Sequence, residues 1–157
     1  MIFCSRNEDG IEKWRMVVED IRIDPKVPIC VTRRLKPIPV GKDVALQPGR
    51  GKKAIGRIRV KSCQSHARWS NVVTPKPPLP MTEFERLLDE EAHREGFRSW
   101  DGLLKWFKDH KISILDTFRI EFELLSFCDV CHAWFKEPFP GIFPSIICPK
   151  CVEEARD

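Results

Sequence analysis

The cleanest alternation in the chain is DTFRIEFELL, with Phe118, Ile120, Phe122 and Leu124 on one side and Arg119, Glu121 and Glu123 on the other. A period of two over this length predicts a strand with one face inward and a charged face outward. AIGRIRVKS repeats the pattern, with Ile58 and Val60 set against Arg57, Arg59 and Lys61. VTRRL is a shorter strand candidate, as is the VAL of VGKDVALQPG, which sits between proline and glycine turns. Other segments follow the helical period. TEFERLLDEEAHREG puts Phe84, Leu87, Leu88 and Glu91 on one side, with Thr82 and Glu85 as a capping box and Gly96 as its end. SWDGLLKWFKDH predicts a second helix with Ser99 as N-cap and Leu103, Trp106 and Phe107 facing the core. Ile11, Trp14, Val18 and Ile21 fit a short helix over residues 10–21, although the overlapping RMVVEDIRI reads equally as a strand. NVVTPKPPLP predicts a stiff, extended connection.

Short strands, two helices and a closing strand predict a small mixed α+β or barrel-like domain over residues 1–126, followed by an appendage at 127–157. MIFCSRNEDG lacks the apolar run of a signal peptide, and FPGIFPSII is broken by prolines, so no membrane segment is expected. Seven cysteines, four of them in C-x-x-C pairs, argue for reduced thiols and an intracellular, cytoplasmic protein.

The cysteine spacing adds chemistry. In CDVCHAWFKEPFPGIFPSIICPKC, Cys128 and Cys131 form one C-x-x-C turn and Cys148 and Cys151 the other, with sixteen residues between the pairs. Two such turns at this separation predict a structural Zn²⁺ site of the zinc-ribbon or zinc-knuckle kind, an iron–sulfur centre or redox pair being the alternatives. Four thiolates leave no open position for a reacting water. His132 is expected to be a surface or neighbouring residue and not a ligand. The apolar residues between the two turns, Trp134, Phe135, Phe139, Ile142, Phe143, Ile146 and Ile147, exceed what a 30-residue module can hide. They are expected to pack on the main domain, the alternative being an exposed patch for a protein partner. Cys4, Cys30 and Cys63 are expected to be buried free thiols.

Charge changes the picture again. Residues 26–76 hold 13 Lys and Arg against the single acid Asp43, while the rest of the chain holds 14 basic and 22 acidic residues. Asymmetry of this size predicts a surface that meets a polyanion.

The order TRRL (Thr32, Arg33, Arg34, Leu35), VGKDVALQPG, IGRIRVKS, EAHREGFRSWDGLLKWF and FRIEFELL resembles the ASCH domain family, relatives of the PUA fold. The likeness covers roughly residues 28–125 and is closest to short phage and prophage proteins that carry TRRL. It implies a small PUA-like β-barrel with flanking helices, and a cleft between the TRRL segment and the helix with the Glu-Gly-Phe turn. It also implies RNA or modified nucleosides as ligands. One branch of the family is similar to amidohydrolases of acetylated cytidine that use a Lys, a Thr three residues later and a Glu before the inter-helix turn. The Thr and Glu correspond here to Thr32 and Glu95, but the lysine position is Ile29. Isoleucine is neither base nor nucleophile, so deacetylation is not expected unless another lysine, Lys26 or Lys36, reaches in.

On that fold TRRLK and QPGRGKK flank one cleft, extended along a strand by Arg57, Arg59 and Lys61. Arg33, Arg34, Lys36, Arg50, Lys52, Lys53, Arg57 and Arg59 are the expected phosphate contacts, with Trp69 as either a base-stacking platform or a packing residue. The expected function is non-enzymatic nucleic-acid binding, with RNA favoured. The alternatives are an accessory or anti-defence phage protein that grips a host protein through its basic face or zinc module, and a hydrolase of RNA or acetylated nucleosides.

Overall fold

A computed structural model describes residues 6–74, 80–135 and 147–155. In chain order the elements are α1 (Lys13–Val18), β1 (Val31–Arg34), β2 (Asp43–Leu46), β3 (Gly56–Ser65), α2 (His66–Val73), α3 (Met81–Glu95), α4 (Trp100–Asp109), a 3-10 turn (Ile114–Asp116), β4 (Phe118–Phe127), β5 (Trp134–Phe135) and α5 (Pro149–Glu154). The strands make an open antiparallel sheet in the order β1-β4-β3-β2, with β5 paired to the far end of β4. The architecture is therefore mixed α+β. Among the described residues no helix is long and apolar enough to cross a membrane.

β4 lies between β1 and β3, and both its faces are covered. Ile120 and Phe122 are buried as expected. Arg119, expected outside, is buried too, because it lies opposite Arg33 of β1 and both meet the glutamates of α3. Leu124, expected inside, is 40% exposed near the end of the strand, and Leu125 is buried in its stead. On β3 the alternation holds, with Ile58 and Val60 buried. One sheet face packs on α1, where Met16 and Val17 join Ile29, Leu46, Ile58 and Phe122 in a single apolar cluster. A second cluster unites α3 and α4 through Ala92, Phe97, Leu103 and Phe107.

Helix ends show which local signals won. Ser99 caps α4 by accepting from the Gly102 N–H at 3.1 Å. Gly96 ends α3 with φ at 90°, and its N–H closes onto the last turn. A side chain there would also meet Met16, because a Cβ at Gly96 would stand 2.9 Å from the Met16 sulfur. The Thr82–Glu85 capping box does not form: α3 begins two residues earlier, with Pro80 as N-cap, which leaves Thr82 inside the first turn. The expected extended connection starts later than predicted, since residues 71–73 end α2. That helix begins at Ser65, whose hydroxyl accepts from the Arg68 N–H.

β4 runs to Phe127, past the expected domain boundary, and Ser126 and Phe127 pair with Phe135 and Trp134. Trp134 and Phe135 thus dock on the sheet, while Ile147 is 39% exposed. Phe139, Ile142, Phe143, Ile146 and Cys4 lie outside the described residues.

Candidate functional site

The packing of α1 and α3 around β1 buries a chain of charges. Glu91 of α3 accepts from Arg33 at 3.2 Å and from Arg119 at 3.1 Å. Glu95, one turn on, accepts from Arg33 as well, and Arg119 reaches Glu121 at 3.3 Å. Above Arg33 lie two indole rings, Trp69 at 4.9 Å and Trp100 at 5.4 Å from the guanidinium carbon. Burial lowers Arg33 to about 10, against the pull of Glu91. It remains charged near neutrality, held by carboxylates and aromatic faces.

Lys13 ends this chain from the other side. It comes from α1, whose position is fixed by the Met16–Gly96 contact and by Asn7, which donates to the Gly96 carbonyl at 3.1 Å. Its Nζ stands 3.9 Å from a Glu95 carboxylate oxygen, and both side chains are almost completely buried. Burial first, then the Arg34 and Arg33 charges, hold Lys13 well below the ordinary lysine value. Thr32, also buried, lines the same small pocket of about 40 Å³. The structure therefore brings a lysine to Thr32 and Glu95, but from α1. Ile29 is core, packed with Met16 and Phe122, Lys26 is exposed, and Lys36 lines a different cavity. No spacing in the sequence links residue 13 to residues 32 and 95; only the fold does.

That other cavity is a cleft of about 740 Å³. Arg34, Lys36 and Arg50 line it, together with Trp106, Phe107 and Ile112. Arg33, Trp106 and Phe107 belong to the walls of both the cleft and the Lys13 pocket. The TRRLK and QPGRGKK segments do flank one cleft.

Several expected contacts lie elsewhere. Arg33 is an internal ion-pair residue and not a phosphate contact, because two glutamates and two tryptophans enclose it. Trp69 is 6% exposed against Trp100 and His66 and lines a separate cavity of about 380 Å³ with Glu91 and Arg119, not the basic cleft. Arg57 and Arg59 alternate with Ile58 and Val60 and so stand on the sheet face away from α1; Arg59 is also tied to Asp43 at 2.8 Å. Lys52 and Lys53 are exposed but do not line the cleft. Aromatic character in the cleft comes from Trp106 and Phe107, which the helical pattern assigned wholly to the core.

The four cysteines meet as a separate site. The sulfurs of Cys128, Cys131, Cys148 and Cys151 lie within 4.8 Å of one another, with Cys128–Cys151 at 4.0 Å and Cys131–Cys148 at 3.6 Å. Four sulfurs about 2.3 Å from a central ion stand about 3.8 Å apart at tetrahedral corners, so the donor set fits a metal ion. Burial raises the Cys128 thiol, but backbone N–H groups of Cys131, Cys148 and Val130 bring it down to about 6. Cys151 is pushed up to about 12 by burial and the neighbouring sulfurs. Four thiolates this close repel one another, and a bound cation removes that repulsion. Phe135 packs on the cluster, and α5, with Pro149 in its first turn, carries Cys151. His132 is exposed beside Phe127 and is not among the grouped ligands. Cys30 and Cys63 are half-buried free thiols.

No family model matches the chain, and neither a curated protein nor a solved structure matches it.

Proposed function

We propose that this is an ASCH-type, PUA-like domain of phage origin that binds nucleic acid, RNA being the expected ligand, and that carries a structural zinc module. The observation behind it is the cleft, where Arg34, Lys36 and Arg50 face Trp106, Phe107 and Ile112. Guanidinium and ammonium groups match phosphate oxygens, and aromatic faces accept bases without regard to sequence. A cleft of about 740 Å³ accommodates one or two nucleotides. The zinc site is closed by four sulfurs and serves to hold α5 and β5 in place.

Binding to single-stranded RNA should weaken with salt. Three phosphate contacts predict a slope of log affinity against log salt of about −2 to −3. Arg34→Ala with Arg50→Ala should reduce that slope by about one to two units, and Lys52→Ala with Lys53→Ala should leave it unchanged. Salt-independent binding, or none at low salt, would remove the cleft as a nucleic-acid site and favour a protein partner.

Hydrolysis of an acylated nucleoside is a second function, favoured by one observation: Lys13 stands at Glu95 and lines the pocket that holds Thr32. Lys13 Nζ takes the Thr32 proton as that hydroxyl attacks the acyl carbon, Glu95, 3.9 Å from Nζ, passes it to the leaving amine, and water then releases the acyl group from Thr32. Ile29 then no longer argues against the chemistry. Turnover of N4-acetylcytidine that falls by about a hundredfold or more in Lys13→Met and in Thr32→Val would establish it. Turnover at the background rate by the metal-loaded wild type would dismiss it.

A further inference from the structure

Lys13 has a property that neither phosphate binding nor proton transfer uses. A lysine desolvated beside other cations holds its proton less tightly, and its uncharged form adds to carbonyl carbon. Arg33 and Arg34 are those cations, and Glu91, Glu95 and Cys30 also lie around it. The pocket that reaches the amine, about 40 Å³, has room for a carbonyl group and none for a nucleobase. Arg33, Trp106 and Phe107 line both this pocket and the basic cleft, so the two cavities are neighbours.

We propose that Lys13 is a nucleophile that forms an imine with the aldehyde of a base-free sugar in a nucleic-acid strand seated in the cleft. The proposal rests on the nucleic-acid function above. An intact strand exposes no aldehyde. Loss of a base creates one at C1′ of the opened sugar and leaves a phosphate on each side for Arg34, Lys36 and Arg50 to hold. It also removes the group for which the small pocket has no room. The Nζ lone pair adds to C1′, and the carbonyl oxygen takes a proton to give a carbinolamine. That oxygen then leaves as water while the C=N bond forms. The two hydrogens of the water come from the amine, and Glu95, 3.9 Å from Nζ, is placed to transfer them. No oxidant or reductant is consumed, and addition of water reverses the step.

The test is reductive trapping. Full-length, metal-loaded protein is mixed with a single-stranded oligonucleotide carrying one abasic site, treated with cyanoborohydride, resolved under denaturing conditions and mapped by mass spectrometry. Binding of the same strand with its base intact is measured in parallel. The expected result is a covalent complex on Lys13, at least about tenfold reduced in Lys13→Met while binding of the intact strand is retained. Arg34→Ala should reduce trapping and binding together. Mapping on the wild type decides the matter even where the variant folds poorly. Binding without an adduct, or an adduct spread over exposed Lys36, Lys52 and Lys53, overturns the imine and leaves the binding function intact. Neither binding nor an adduct overturns both.

Discussion

Replacing Glu91 with Ala should cost about 3–5 kcal/mol of stability, the largest loss expected from any single polar side chain here. Glu91 is 6% exposed and is the carboxylate that Arg33 and Arg119 share. Its removal takes away the carboxylate that two guanidinium groups share across paired strands, leaving Arg33 with Glu95 alone and Arg119 with Glu121 alone. The effect is asymmetric: the intact network contributes little net stability, whereas a broken one leaves buried charge short of a partner. Glu90, its neighbour, bonds half-exposed Arg94 at 3.0 Å. Glu90→Ala should therefore cost no more than about 1 kcal/mol. Urea midpoints at constant slope measure both changes. A loss below about 1 kcal/mol for Glu91→Ala would mean that water enters the Arg33–Arg119 site.

Metal removal should have the second large effect, confined to one end of the chain. Freshly purified protein should contain about one zinc per chain, and structural zinc contributes roughly 10–16 kcal/mol of apparent binding energy in small modules. Chelation, or Cys148→Ser, should free α5 and β5, since Cys151 and the packing of Phe135 hold both to the cluster. The main sheet should persist, because its core residues Met16, Ile58 and Phe122 touch none of the cysteines. Amide hydrogen exchange gives the readout: protection should be lost across the cysteine turns and the last residues of β4, and kept in β3. Elemental analysis without zinc would refute the assignment. Loss of protection in β3 would show that the continuous strand β4 makes one cooperative unit of the two parts.

Function was harder to place than fold for a physical reason visible at particular residues. Arg33 and Arg34 are neighbours in one strand and both touch the cleft, but the Arg33 guanidinium is held by the glutamates of α3. Nothing in TRRL says which is which, since an arginine suits a buried carboxylate as well as a phosphate. The same holds for Trp69 and Trp106, one of which packs inside while the other lines the cleft. Among the helices, α2 was missed because its eight residues follow a strand without a turn signal between them and end in Val72 and Val73.

Period-two and period-3.6 patterns needed only neighbouring residues, so β1, β3, α3 and α4 were legible from the chain alone, as was the four-cysteine set with its two C-x-x-C turns. Each depends on interactions within about four residues or on a repeated local turn. Tertiary structure decided what joins residues far apart: Lys13 with Glu95, Arg119 with Glu91, and Arg34 with Arg50 across a cleft. It also decided which charges water reaches. Position along the chain carries no record of that, because burial of a charge is set by the element that packs over it.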